Sequence, residues 1–197
     1  MKNSSTQQRL LDATLKLISE KGYLGATTRE IAQEAQVTEL TLFRHFGTKE
    51  KLFEELLRNH TFLPRLKELL PELDGLSYKE GLQLIAMKFL LSLKERKLMV
   101  KIMYSEVTIY PGKIRAVYNK FTDDLRETLA QYFKSQKEQG ALRNVSPEMA
   151  ARLFLGVLFS YFRAEEIMRK DGMKKRKMEQ DINEFVDIFM FGTMKND

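Results

Sequence analysis

The chain has 197 residues, 43% of them hydrophobic and 30% charged, with no Cys, no Trp and two His. That length supports one large domain or two small ones, folding without covalent staples. The lack of Cys excludes a disulfide scaffold, thiolate-held metal and a thiol nucleophile, and His45 and His60 are too few for a histidine-rich metal site.

Lys and Arg number 33 against 27 Asp and Glu, a net charge of +6 and a pI near 9.4. A basic balance points to an anionic partner such as nucleic acid without locating the contact. The longest apolar-rich stretch, 153–162, is half as long as a membrane span requires. The N-terminal segment carries charges throughout its helical pattern and has no uncharged signal core. A cytoplasmic protein without a membrane partner is expected.

Along the chain the apolar positions recur at helical spacing, and no segment alternates with period two. Leu11, Leu15 and Ile18 form the first stripe, and Gly22 stands where a C-terminal cap belongs. Thr27 and Glu30 form a capping box that opens a short helix over 28–35. Thr38 caps the next helix, with Val37 and Leu42 spaced as a hydrophobic staple, and Thr48 starts a fourth that Pro64 should kink or end. Ser77 and Glu80 repeat the capping box at a helix reaching about residue 93. Another runs to about 109, where Pro111-Gly112 signals a turn. Further helices are expected over 113–139, from Ser146-Pro147 to about 169, and through the stripe Met178, Ile182, Phe185 and Phe189. The fold class is all-α, about nine helices. The boundaries expected are a three-helix helix-turn-helix domain over 1–50 and a larger helical domain over 51–197.

The segment 28–46 is the informative one. Two short helices flank a three-residue turn, with Ile31, Ala32, Ala35, Val37, Leu42 and Phe46 able to pack inward. That leaves Thr38, Glu39, Leu40, Thr41, Arg44 and His45 facing outward, as on a helix that enters a DNA major groove. A plain three-helix core would share the same periodicity.

The stretch GYLGATTREIAQEAQVTELTLFRHFGTKEKLF resembles the DNA-binding domain of TetR-family transcriptional regulators. The matching features are the Gly-Tyr after helix 1, TTREIA, the Val-Thr turn, TLFRHF and the Thr-Lys-Glu opening helix 4. The resemblance implies that Thr28 holds a phosphate, that Arg29 reaches a phosphate or a guanine edge, and that Glu39, Leu40 and Thr41 read bases from the helix that Thr38 caps. It places Phe43, Arg44 and His45 against the DNA backbone and Lys49 on a phosphate. Two positions depart from the pattern. Gln36 replaces a frequent Gly, at a cost of about 1–2 kcal/mol if the turn is left-handed. Phe43 replaces Tyr and lacks its hydroxyl. Without DNA, Thr28 still reads as a helix starter, Glu39 as a solvated or mismatch-rejecting group, Phe43 as core, and Arg44 and Lys49 as surface charges.

In the remainder, residues 153–162 place apolar groups around most of a helix, which requires burial on more than one side. Gly156, Ser160 and Ala164 recur every four residues and permit close helix approach; with Phe185 and Phe189 they mark a homodimer surface. A fully buried core helix in a monomer is the alternative. Phe89, Met99, Met103, Tyr104, Tyr118, Phe121, Leu125 and Phe159 are candidates to line a cavity for a small hydrophobic effector. They read equally as core. The basic segment 169–177 reads as a solvated loop.

The function expected is that of a dimeric repressor released from a palindromic double-stranded DNA operator by a mostly apolar effector. The alternative is an effector-independent helical DNA-binding or architectural protein. No cofactor is implied, and no Gly-rich phosphate loop, metal-ligand cluster or nucleophile constellation suggests an enzyme.

Overall fold

The computed structural model describes residues 5–59, 61–106, 112–169 and 171–193. His60, Pro111 and the side chain of Tyr104 lie outside the described residues. The helices are α1 (Thr6–Gly25), α2 (Thr28–Glu34), α3 (Glu39–Phe46), α4 (Lys49–Asn59), α5 (Leu63–Leu69), α6 (Tyr78–Glu95), α7 (Lys97–Glu106), α8 (Lys113–Glu138), α9 (Pro147–Phe162) and α10 (Lys175–Thr193). No strand occurs among the described residues, as an all-α pattern requires. No helix is long and apolar enough to cross a membrane among them.

The caps fall where the side-chain chemistry places them. Thr27 and Ser77 form complete capping boxes with Glu30 and Glu80, and Ser146 caps α9 with Pro147 in its first turn. Pro64 does not close α4, which ends at Asn59; it sits in the first turn of the additional helix α5, where its missing N–H costs nothing. Gly22 breaks α1 with a left-handed φ of 72° before Tyr23 resumes the helix.

The described residues form two compact units. The first runs to Thr61 and also takes in Leu98–Phe121; the second is Phe62–Lys97 with Thr122 onward. The first unit thus extends past residue 50. Its core joins Leu10, Ile18, Ile31, Leu42, Leu52 and Phe53 to Met99, Ile102 and Met103 of α7. Burial of a side chain of this size contributes roughly 1.5–3 kcal/mol, so α7 is a structural member of this unit.

The second unit is built on an aromatic cluster: Phe133, Phe154, Phe185 and Phe189 pack with ring centroids 5.1–6.1 Å apart. Beyond α9 the backbone widens into a π-helical segment, Arg163–Met168, that carries Glu166 inward. Glu166 is 5% exposed; Oε1 accepts from Lys97 Nζ at 2.8 Å and Oε2 from the Met173 N–H at 2.7 Å. Gly172, with φ +63°, lets the chain close around it, since a Cβ there would lie 3.0 Å from Oε2.

Candidate nucleic-acid interface

The α2–turn–α3 segment is held by side-chain bonds at each step. Glu30 Oε2 accepts the Thr27 N–H at 3.0 Å, and its Oε1 pairs with Lys21 of α1 at 2.7 Å. Lys21 and then the Thr27 bonds hold the Glu30 carboxyl down to about 2. Lys16 makes a matching pair with Glu34 at 2.7 Å, so both ends of α2 are tied to α1. After Ala35 the chain turns through Gln36 at φ 55°, in the left-handed region. The Val37 N–H donates to Ala32 O at 2.9 Å and closes the turn in the manner of a Schellman cap.

Thr38 then caps α3, its Oγ1 accepting the Thr41 N–H at 3.2 Å and lying 2.9 Å from Thr41 Oγ1. Leu42 and Phe46 are buried, which fixes the roll of α3 and turns Leu40, Phe43, Arg44 and His45 to solvent. Leu40 is 78% exposed and Phe43 41%, so Phe43 is not core. With Thr41 and Arg44 they line a shallow open depression of about 390 Å³.

Several expected contacts are already engaged within the chain. The Thr28 hydroxyl donates to Glu39 Oε1 at 2.5 Å, across α2 and α3. Lys49 Nζ donates to the Tyr23 carbonyl and stands 4.3 Å from the centroid of the Tyr23 ring, and burial lowers its pKa. An ammonium has three donors, so two remain for a phosphate. Arg29 and Arg44 are exposed and make no ion pair among the described residues. Tyr23 was legible only as half of the Gly-Tyr feature; the structure makes it the seat of Lys49 and a ring partner of Phe53 at 5.1 Å.

Residues 10–56 match the family model of bacterial regulatory proteins, tetR family, and residues 80–191 match that of the AefR-like transcriptional repressor C-terminal domain. The HTH-type transcriptional regulator YvkB of Bacillus subtilis is 33% identical over 157 residues, spanning 80% of this chain and 81% of YvkB. The chain belongs to the TetR family of transcriptional regulators. The biofilm operon negative regulator IcaR of Staphylococcus aureus is 20% identical over 93% of this chain and 98% of its own. A TetR-family regulator from Mesorhizobium loti shares the fold at TM-score 0.80 and 22% identity, covering 96% of this chain and 97% of that one. FadR of Bacillus subtilis, solved with stearoyl-CoA, does so at TM-score 0.76 and 18% identity over 91% and 96%.

The residues named as pocket candidates in this TetR-family chain divide between the units. Met99 and Met103 are buried in the first unit's core, with Tyr118 and Phe121 packed partly buried against it. Phe89, Leu125 and Phe159 belong to the second unit, where Phe89 packs edge-on against Phe62 at 5.2 Å. Among the dimer candidates, Gly156, Ser160 and Ala164 are exposed and Phe185 is half-buried. Phe189 is buried against Phe133 and Phe154, while Ile188 and Phe191 are the exposed large apolar groups of α10. Two stripes share that helix, and only the packing shows which one faces in.

Proposed function

We propose that this TetR-family regulator is a cytoplasmic homodimeric repressor. It holds a palindromic DNA operator and releases it when a mostly apolar small molecule binds the C-terminal domain. Thr38, Glu39, Leu40 and Thr41 face base edges, while Arg29, Phe43, Arg44, His45 and Lys49 face the DNA backbone. The observation that carries the dimer is the set of exposed apolar residues on α9 and on α10. Leu153 and Val157 stand exposed beside Gly156, Ser160 and Ala164, and Phe191 is 87% exposed. Exposed apolar groups on each of these helices fit a second copy bringing the same residues. One recognition helix reads few base pairs, so pairing two of them about one DNA turn apart supplies the specificity.

The AefR-like repressor description of residues 80–191 and the negative regulator IcaR support repression; FadR with stearoyl-CoA supports an apolar effector. Sedimentation of the purified chain should report a dimer that Val157→Asp converts to monomer, and selection from random duplex DNA should return two inverted half-sites. A monomer at micromolar concentration, or a single half-site, refutes the paired reading. Stearoyl-CoA and shorter acyl chains, titrated against the selected duplex, test release. No shift with any of them favours the effector-independent alternative.

A further inference from the structure

We propose that Glu39 reads the amino edge of a cytosine in each half-site and that Thr28 is the residue that positions it, rather than a grip on phosphate. The inference deepens the operator reading above and rests on it.

Thr28 and Glu39 are eleven positions apart, at the first turns of α2 and α3, and their side chains meet at 2.5 Å. A threonine hydroxyl has one proton, and here Glu39 Oε1 receives it. While that bond stands, the hydroxyl has nothing to donate to a phosphate, which is itself only an acceptor. Thr28 therefore serves α3. It fixes one carboxylate oxygen, and Glu39 Oε2 has no hydrogen-bond partner among the described residues.

The other polar groups at the start of α3 are likewise paired with each other: Thr38 Oγ1 and Thr41 Oγ1 lie 2.9 Å apart. Leu40 beside them is exposed and apolar. Glu39 is thus the charged group that leads this helix. An ionised carboxylate accepts and cannot donate. In the major groove it is repelled by the N7 and O6 of guanine, the O4 of thymine and every phosphate, and is matched by the N4 amino group of cytosine. Adenine offers an amino group too, but its N7 acceptor lies alongside. A carboxylate held rigidly at a polyanion raises the penalty for every other base, which gives selectivity by rejection as well as by contact.

The test uses the full-length chain and selection from random duplex DNA, followed by titration of the selected duplex and its single-pair variants. Wild type should return a C·G pair at one position of each half-site. Glu39→Gln should move the preference there toward adenine and lose about tenfold in cytosine discrimination. Thr28→Val should weaken discrimination at that same position about fivefold while leaving preferences elsewhere unchanged, and Thr28→Ser should restore it. A helix-starting role alone would not single out one base pair. Equal loss of affinity for all sequences in Thr28→Val would make Thr28 a phosphate contact and overturn the inference. So would an unchanged base profile in Glu39→Gln. Should wild type select no sequence, the operator reading itself fails.

Discussion

Gly81, in the first turns of α6, offers a sharp test of packing in the second unit. A Cβ there would stand 2.4 Å from Tyr132 Oη, 3.4 Å from Cζ and 4.0 Å from Cε2. A carbon–oxygen contact needs roughly 3.2 Å or more, so Gly81→Ala requires a displacement of about 0.8 Å in a side chain that is itself buried. Overpacking of this kind costs about 1–3 kcal/mol, against about 0.5–1 kcal/mol gained from replacing Gly in a helix. The variant should be destabilised by about 1–2 kcal/mol. Removing the hydroxyl leaves Cζ as the nearest atom at 3.4 Å, an ordinary contact. In a Tyr132→Phe background the same Gly81→Ala change should therefore be neutral or stabilising by up to about 1 kcal/mol. Urea denaturation of the four proteins at one protein concentration measures the coupling. Additive effects of the two substitutions would refute the contact.

Three further outcomes follow from the local chemistry. Gln36→Gly should stabilise the first unit by about 1 kcal/mol, because the φ of 55° strains any side chain; denaturation midpoints check it. The Glu30 carboxyl, folded at about 2 and higher when unfolded, contributes stability above the unfolded value that is lost as pH falls toward 2; its NMR titration and the acid limb of Glu30→Gln check this. For Glu166, burial alone would raise the pKa, but the Lys97 bond, the Met173 N–H and the nearby lysine charges together bring it below the usual value. Its contribution is likewise lost on acidification, and Glu166→Ala should cost about 2–3 kcal/mol, read by thermal unfolding, since it strands Lys97 and the Met173 N–H.

Local signals carried most of the fold. The caps at Thr27, Thr38, Ser77 and Ser146 each act within three residues of chain, so sequence displays them directly. Pro64 misled because proline both ends and begins helices, and the choice depends on where the preceding helix has already stopped. Met99 and Met103 showed an apolar face but not which core it enters; that depends on long-range packing. The same holds for Phe189 against Phe191, two positions apart on one helix and opposite in burial. In the interface, the outward set of α3 follows from periodicity once Leu42 and Phe46 are inward. The Thr28–Glu39 bond and the Lys49 seat on Tyr23 span eleven and twenty-six residues, and no spacing rule announces them.

The basic excess finally bears on how tightly DNA would be held. Residues 1–50 carry seven basic against six acidic side chains, so nearly all of the +6 lies elsewhere in the chain. Within the first unit Lys16 and Lys21 are neutralised by Glu34 and Glu30, and Lys49 shares its ammonium with Tyr23. Arg29 and Arg44 are the cations of α2 and α3. On the proposed reading, they and Lys49 would give two or three phosphate contacts per protomer, about four to six for a dimer. Counterion release then gives a slope of log affinity on log salt of about −4 to −5. Arg44→Ala should make it shallower by about 2, because both protomers lose a contact. Fluorescence anisotropy across a salt series measures both. A wild-type slope of about −8 or steeper would mean that cations outside α2, α3 and Lys49, such as those near 169–177, reach the DNA. The segment that reads sequence would then not be the segment that supplies the charge.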